Sequence, residues 1–180
     1  MDYFIADTHF GHEQVSRERG FGSVAEMDAV LIARWQARVK PEDHVYIVGD
    51  FACRAARGVE HYLEQLPGQK HLAVGNHDRV WLRKVRWQRW FVEAAYLLEG
   101  TRAGKYFTCC HYPMLDWYRR RHGAYLIYGH VHTRTQERYC PVLETLERAY
   151  NAGADLTGLQ PVTLPELVAL HTKAHAAGEA

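Results

Sequence analysis

The sequence lacks any long hydrophobic segment. None of its apolar runs approaches the ~20 residues that a membrane-spanning helix needs, and residues 1–5 show neither the basic region nor the long apolar stretch of a signal peptide. An excess of one charge is also lacking, because Lys plus Arg exceed Asp plus Glu by only 22 − 21 = 1. A chain with so small a net charge has no overall field that attracts a membrane or nucleic acid. We therefore expect a cytoplasmic protein without a membrane partner.

Cysteine is scarce, and its spacing does not indicate disulfides. The four cysteines form no CxxC pair, and the adjacent Cys109 and Cys110 could bridge each other only with backbone strain. Reduced thiols in a reducing compartment fit this pattern best. We interpret Cys53 as a small buried hydrophobic residue, with a reactive thiol as the alternative.

The overall composition is that of one globular domain, which we predict to span residues 1–180. Hydrophobic residues make up 47% and charged residues 24%, which excludes a disordered or collagenous chain. Histidine is the unusual residue, with 12 in 180 positions. Half of these histidines lie in short clusters beside Asp, Asn and Gly.

Short apolar runs alternate with helical patterns, which predicts an α/β architecture. A capping-box pattern at Ser23 and Glu26 opens a helix whose apolar stripe runs to Val39 and stops at Pro41. Further helices are predicted over residues 57–66 and 164–171. Strands are predicted over residues 3–6, 44–48, 71–74, 106–110 and 125–128.

Each of the five predicted strands ends in a polar cluster. In open α/β sheets, ligands bind outside the carboxyl ends of the strands, so strands that lie side by side would bring the clusters to one place. The clusters are Asp7-Thr8-His9, Gly49-Asp50, Gly75-Asn76-His77-Asp78, His111 and His130-Val131-His132.

The side chains of these clusters are typical ligands of first-row divalent metals. Seven ligands exceed one tetrahedral site but suit two ions that share a carboxylate, and such ions ~3.5–4 Å apart clamp both oxygens of an in-line phosphoryl displacement. A hydroxide bridging the ions would be the nucleophile, and His77 is placed to protonate the leaving oxygen. The candidate ligands are Asp7, His9, Asp50, Asn76, His111, His130 and His132.

These residues also match, in order, the motifs D-x-H, G-D, G-N-H-[DE], H and G-H-x-H, so the sequence resembles the calcineurin-like metallophosphoesterases over residues 1 to about 132. The resemblance implies a four-layer α/β/β/α sandwich of two mixed β-sheets flanked by helices, with a dimetal site at the carboxyl ends of the strands. It implies His77 as general acid and Asp50 as the bridging ligand. By the same resemblance, the first metal would bind Asp7, His9, Asp50 and His132, and the second Asp50, Asn76, His111 and His130. Residues 151–155 and 161–162 also resemble the tail of small bacterial and phage members.

One departure from the family pattern concerns the residue that pairs with the catalytic His. In the phosphoprotein phosphatase branch this residue is an Asp, but Cys53 stands at that position here, which disfavours a protein phosphatase. Arg54 keeps the position of the neighbouring Arg and is a candidate phosphate ligand, although a surface role is equally compatible. His12 either lines the substrate cleft or caps a turn.

Two basic stretches bear on nucleic-acid binding. Residues 79–92 combine five Arg or Lys with three Trp and no acidic residue, a pattern that suits a nucleic-acid backbone with stacked bases. We favour an amphipathic helix with its tryptophans packed inward and its cations solvated. Residues 118–121 form a second basic spot, which either steers an anionic substrate or is a plain loop.

The expected function is metal-dependent hydrolysis of phosphate esters, with diesters favoured over monoesters. The alternatives are a phosphomonoesterase or a nuclease on the same dimetal site, and a non-catalytic metal-binding scaffold. The expected cofactors are two divalent ions, with manganese favoured and iron, nickel, cobalt or zinc as alternatives. The expected partner is a small phosphate ester, nucleic acid is not favoured, and the oligomeric state stays open.

Overall fold

A computed structural model describes residues 1–102, 104–134 and 136–178 of the chain. Its strands are β1 Asp2–Ile5, β2 His44–Ile47, β3 Gln69–Ala73, β4 Phe91–Ala95, β5 Leu97–Arg102, β6 Lys105–Cys110, β7 Tyr125–Tyr128, β8 Ala149–Asn151 and β9 Val162–Thr163. Its α-helices are α1 Glu13–Glu18, α2 Val24–Gln36, α3 Glu60–Leu63, α4 Asp78–Leu82, α5 Cys140–Glu144 and α6 Leu164–Gly178, and short 3-10 helices cover Trp87–Arg89 and Arg120–His122.

The first sheet is mixed and has the strand order β4-β3-β2-β1-β9. Strands β1 to β4 are parallel, and β9 runs antiparallel to β1. Residues Ile5, Ile47 and Leu72 lie side by side in this register. Because the three strands share one direction, the polar residues that follow them emerge at the same edge of the sheet.

The second sheet is also mixed, with the order β5-β6-β7-β8. Strand β5 is antiparallel to β6, whereas β6, β7 and β8 are parallel. The five strands predicted from sequence therefore do not lie side by side in one sheet, since β1, β2 and β3 belong to the first sheet and β6 and β7 to the second. Their carboxyl ends still meet, because the two sheets pack face to face over a core that includes Phe4, Tyr46 and Phe107.

Helices cover the outer faces of both sheets. Helix α2 begins as predicted, since the Ser23 hydroxyl accepts a hydrogen bond from the Glu26 N–H at 3.2 Å, and its apolar stripe packs onto the first sheet. On the far side of the second sheet, Leu143 of α5 and Trp117 pack against buried strand residues. Two mixed sheets flanked by helices are the architecture that the family resemblance implies, so this prediction is confirmed.

Two predicted helices differ from the observed elements. The segment 57–66 is helical only over Glu60–Leu63, and residues 79–92 form no single amphipathic helix. Helix α4 ends at Leu82, and Phe91 begins a strand, because the free edge of β3 offers backbone hydrogen bonds that β4 occupies. The tryptophans of this stretch do pack against the core, as expected of the inward face.

No helix in the described part of the chain has both the length and the apolar character needed to cross a membrane.

Candidate metal centre and active site

The candidate site lies where the carboxyl ends of the two sheets meet, and glycines make this close approach possible. A Cβ on Gly129 would lie 2.6 Å from the Ala6 Cβ and 2.7 Å from a carboxylate oxygen of Asp7. A Cβ on Gly49, which has a φ of +82°, would overlap the imidazole ring of His111. Gly129 follows a strand of the second sheet and approaches Ala6 and Asp7, which follow β1 of the first sheet. Gly49 follows a strand of the first sheet and approaches His111, which follows β6 of the second. A larger residue at either position would push the two halves of the site apart.

The site backbone turns sharply directly after the strands. Non-glycine residues rarely adopt positive φ, and such conformations persist only where the surrounding structure enforces them. Five of the candidate ligands have this conformation, namely Asp7, His9, Asp50, His130 and His132, with φ of 54°, 52°, 51°, 70° and 49°. This clustering of unfavourable backbone angles sets the site apart from the rest of the fold.

The described side chains form three overlapping groups that could hold a metal ion, and one of the three joins His9, Asp50 and His77. Asp7, His9 and His132 make up one group, which we call the first cluster, and Asp50, His111 and His130 make up the second cluster. Within each cluster the candidate ligand atoms all lie within 4.8 Å of one another. Asp50 lies between the clusters, since its Oδ2 is 3.8 Å from His9 Nε2 and 3.4 Å from His111 Nε2.

The hydrogen bonds of His111 show that the second cluster fits a cation. The His111 Nδ1 lies 3.1 Å from the carbonyl oxygen of Val48, which can only accept, so Nδ1 carries a proton, and in the neutral ring Nε2 then presents a lone pair. That Nε2 lies 3.1 Å from Asn76 Oδ1 and 3.4 Å from Asp50 Oδ2. Three acceptors that face one another are the donor set of a divalent ion.

The side chains of the first cluster are oriented by hydrogen bonds in a similar way. The His132 Nδ1 donates to Asp155 Oδ2 at 2.7 Å, which leaves its Nε2 directed at His9 Nε2, 3.2 Å away. The His9 Nδ1 is buried and is among the side-chain atoms without a hydrogen-bond partner in the described residues. A buried imidazole whose Nε2 faces another imidazole nitrogen, next to the buried carboxylate of Asp7, fits a metal ligand better than a structural residue.

Burial shifts the pKa values of both carboxylates and imidazoles in the site. Burial raises the pKa of Asp7 to about 7, although the charges of His132 and His111 act in the opposite direction. Burial also lowers the pKa of His9 to about 2, so this imidazole is neutral, the form that binds metal. Burial would raise the pKa of Asp50 as well, but His111 in its protonated form can donate to this carboxylate, and that hydrogen bond and charge outweigh burial and lower the pKa of Asp50 to about 2. Asp50 is thus an ionised carboxylate between the two clusters.

His77 borders the clusters and faces solvent. Its side chain is 38% exposed, and its Nε2 lies 3.9 Å from Asp50 Oδ2. Its other ring nitrogen, Nδ1, is 3.2 Å from the Cys53 sulfur. The Cys53 side chain is buried but contacts the predicted general acid, so the interpretation of this cysteine as mere packing is incomplete.

The two predicted substrate residues lie in the same cleft. His9, His77 and His132 line an open cleft of about 740 Å³, and His12 and Arg54 line it too. The ring of His12 lies 5.3 Å from that of His9 and 5.7 Å from that of His77. The structure therefore brings every residue of the predicted site to one region of the molecule.

Sequence reasoning missed the role of Asp78, the last residue of the third motif. Its carboxylate is fully buried and accepts hydrogen bonds from the backbone N–H groups of Asp50 at 2.8 Å, Phe51 at 2.9 Å and Gly75 at 2.9 Å. These bonds hold the loop that carries Asp50 against the loop that carries His77. The motif itself was the available signal, because an acidic residue beside a predicted ligand needs a partner.

Sequence reasoning also missed Arg19 and Asp155. The Arg19 guanidinium donates to Asp155 Oδ1 at 2.6 Å, and Asp155 in turn accepts from His132. Asp155 lies in the tail segment that resembles small family members, so its position was visible in the sequence. Nothing in the local sequence distinguishes Arg19 from the other arginines.

Comparisons with known proteins identify the family of the chain. The model of the calcineurin-like phosphoesterase family matches residues 3–134. The chain is 29% identical to an uncharacterised protein of Methanocaldococcus jannaschii over 175 residues, which are 95% of this chain and 91% of the relative. It is also 29% identical to the gene 66 protein of Mycobacterium phage D29 over 157 residues, 73% of this chain and 78% of the phage protein. The solved structure of a protein of unknown function from Aquifex aeolicus is 28% identical with a TM-score of 0.73, covering 94% of this chain and 98% of that one.

The fold and the family match define a phosphoesterase with clusters that could hold metal ions, and the chain belongs to the calcineurin-like phosphoesterase family. Within the family it is a small form, since the relatives from Methanocaldococcus and Aquifex are matched over nearly their whole length.

Proposed function

We propose that this protein hydrolyses phosphate esters, preferentially diesters, with two divalent metal ions. The first ion would be held by Asp7, His9, Asp50 and His132, and the second by Asp50, Asn76, His111 and His130. The observation that carries the proposal is the position of the Asp50 carboxylate between two clusters of inward-facing acceptors, within 3.8 Å of His9 and 3.4 Å of His111. Manganese is the ion we would supply first.

Two bound ions would neutralise charge on the phosphate oxygens and lower the pKa of the attacking water. The protein's own contribution begins with Asp50, whose Oδ1 accepts a hydrogen bond from the His77 N–H at 2.9 Å. Asp78 meanwhile holds the Asp50 backbone N–H. The shared carboxylate is therefore fixed at both its side chain and its backbone before substrate arrives.

His77 is the proposed general acid. A protonated His77 can donate its Nδ1 proton to the Cys53 sulfur, 3.2 Å away, and direct its Nε2 proton into the cleft, toward the leaving oxygen. Burial raises the pKa of the Cys53 thiol, with the charge of Arg54 acting in the opposite direction, so the sulfur stays a neutral partner. The partial exposure of His77 allows it to exchange its proton with solvent after each turnover.

The cleft is compatible with the diester that we propose. It is open to solvent, has a volume of about 740 Å³ and is lined by His9, His77 and His132. Arg54 projects there from an exposed position at a φ of 53° and can bind a non-bridging oxygen. His12 lies on the same wall and can contact one of the two ester groups.

The test is hydrolysis of bis(p-nitrophenyl) phosphate and of p-nitrophenyl phosphate after Mn²⁺ reconstitution. We expect metal-dependent turnover of the diester that is lost in Asp50→Asn, because the amide is a weaker ligand for both ions. Preferential turnover of the monoester would overturn the diester assignment. Full binding of two ions without turnover of either compound would instead favour the non-catalytic scaffold.

The nuclease alternative has one observation in its favour. Arg83, Lys84, Arg86 and Arg89 are exposed, and none makes an ion pair with an acidic group among the residues that the structure describes. Against it, the neighbouring tryptophans pack on the core and offer few free faces for stacking bases. Cleavage of short oligonucleotides with a steep salt dependence that Arg86→Ala weakens would support a nuclease.

A further inference from the structure

Arg19 follows α1, and its side chain reaches back to the candidate metal centre. The side chain is only 7% exposed. It donates from its terminal nitrogens to the carbonyl oxygens of Asp7 at 2.6 Å and Thr8 at 2.9 Å, and from Nε to Asp155 Oδ1 at 2.6 Å. One buried guanidinium thus holds the turn after β1 and a carboxylate from the chain beyond β8.

Asp155 extends this connection to the second sheet. While one of its oxygens accepts from Arg19, the other accepts from His132 Nδ1 at 2.7 Å. His132 follows β7, whereas Asp7 and His9 follow β1. The Arg19–Asp155 pair therefore links the backbone of the first cluster in one sheet to the imidazole of the same cluster in the other sheet.

The pair contacts one cluster only. In the second cluster, His111 is oriented by the carbonyl oxygen of Val48 at 3.1 Å and by no residue of the pair. Asp50, which both clusters share, is held by Asp78 and the His77 N–H. The direct contacts of the Arg19–Asp155 pair therefore lie in the first cluster, although the two clusters are joined by Asp50 and by the Asp7 carboxylate, which accepts the His130 N–H at 2.9 Å.

We propose that Arg19 and Asp155 are positioning residues for the metal ion of the first cluster, an inference that rests on the proposed dimetal function. Asp155 keeps the proton of His132 on Nδ1, so that Nε2 is available as a ligand. Arg19 compensates the buried charge of Asp155 and holds the carbonyl groups beside Asp7, whose backbone has an unfavourable φ of 54°. Residues that orient metal ligands in this way commonly contribute ~10–100-fold to metal affinity.

The experiment is titration of the metal-free protein with Mn²⁺ by calorimetry, combined with electron paramagnetic resonance at two equivalents of Mn²⁺. The variants are Arg19→Gln, Asp155→Ala and Asp155→Asn. Arg38→Gln is the matched control, because Arg38 makes a similar pair with Glu166 at 2.6 Å on α6, outside both clusters. Thermal melting of each metal-free variant checks that the fold is retained.

For the wild type we expect two bound ions and a spin-coupled spectrum. In Arg19→Gln and Asp155→Ala, one affinity should fall ~10–100-fold while the other falls much less, and the coupled spectrum should give way to that of an isolated ion. Asp155→Asn should lie between, because its amide oxygen can still accept from His132 but cannot balance the charge of Arg19. Arg38→Gln should bind like the wild type.

Three outcomes would overturn the inference. If the variants bind both ions as tightly as the wild type, the pair does not position a metal ligand, and the proposed function stands. If both affinities fall equally, the pair supports the whole fold rather than one cluster. If the wild type itself fails to bind two ions, the dimetal function is wrong and the inference fails with it.

Discussion

The sulfur of Cys53 lies 3.2 Å from Nδ1 of His77, and Cys53 stands at the sequence position where the phosphoprotein phosphatase branch carries an Asp. A thiol is a much weaker hydrogen-bond partner than a carboxylate, and it brings no negative charge to the ring. The orientation of His77 in this protein therefore depends on a neutral contact.

We expect Cys53→Ala to lower kcat about two- to tenfold, the range that corresponds to one hydrogen bond of ~0.5–1.5 kcal/mol, with little change in KM. The loss should be larger for a diester with a poor leaving group, since that reaction depends more on the general acid. Steady-state kinetics with two diesters that differ in leaving group measure this. Cys140→Ala is the control, because Cys140 is also buried but makes no contact with His77. An equal loss for both diesters would contradict the assigned contact.

Replacing His77 itself should separate chemistry from metal binding. We expect His77→Ala to lower kcat by ~10²–10⁴, the usual contribution of a general acid, while both ions still bind. Asp50→Asn should instead lose metal and activity together, because Asp50 lies between the two clusters. Metal content by elemental analysis, measured beside kcat, makes the comparison. Full activity in His77→Ala would show that another group protonates the leaving oxygen.

Gly49 offers a test of how closely the two sheets must approach. Gly49 and Gly58 both have positive φ, +82° and +76°, but a Cβ on Gly49 would overlap His111 whereas a Cβ on Gly58 would meet nothing within 4 Å. Gly58→Ala should therefore reduce the free energy of unfolding only by the backbone cost of ~1–2 kcal/mol. Gly49→Ala should reduce it further and should also weaken metal binding, because His111 must move. Urea unfolding and Mn²⁺ titration of both variants would reveal the difference, and equal effects would argue against the overlap.

The buried amine of Lys70 should make the free energy of unfolding depend on pH, independently of the candidate metal site. Its side chain is buried beside the first sheet and donates to the Gly68 carbonyl oxygen at 3.1 Å. Burial lowers the pKa of this amine from 10.5 to about 8. In the unfolded chain the amine keeps its proton up to its ordinary pKa of 10.5, whereas in the folded protein it loses the proton near pH 8. Between these two values the unfolded state binds more protons than the folded state. The free energy of unfolding of the wild type therefore rises as the pH increases from about 8 to 10.5.

We therefore expect Lys70→Met to raise the free energy of unfolding at pH 7 by roughly 1–3 kcal/mol, since one pKa unit corresponds to ~1.4 kcal/mol. This gain in the free energy of unfolding should shrink as the pH rises from about 8 to 10.5. Lys84→Met is the control, because Lys84 is exposed and its removal should leave the pH dependence unchanged. Denaturant unfolding at pH 7 and pH 10 measures the gain, and an equal gain at both values would show that the charge of Lys70 is not what destabilises the fold.

Local sequence signals predicted the parts of the fold that depend on neighbouring residues. The capping box at Ser23 marked the start of α2, and the apolar runs marked β1, β2, β3, β6 and β7 within one or two residues. The polar residues that follow those strands identified every member of the two clusters, because a strand end and its side-chain chemistry are both written in a few consecutive residues. The segments β4, β5, β8 and β9 escaped prediction, since β4 and β5 are largely exposed and lack the apolar run of a buried strand, and β8 and β9 have only three and two residues.

The sequence by itself determined which side chains could bind metal and in what order they occur along the chain. Only the tertiary structure assigned each of these side chains to one of the two sheets and showed that Gly49 and Gly129 must be small for the sheets to meet. The same holds for the contacts of Arg19 with Asp155 and of Cys53 with His77, which join residues 136 and 24 positions apart. Sheet pairing and buried polar contacts depend on which distant groups satisfy one another on folding, and a local sequence pattern does not contain that information.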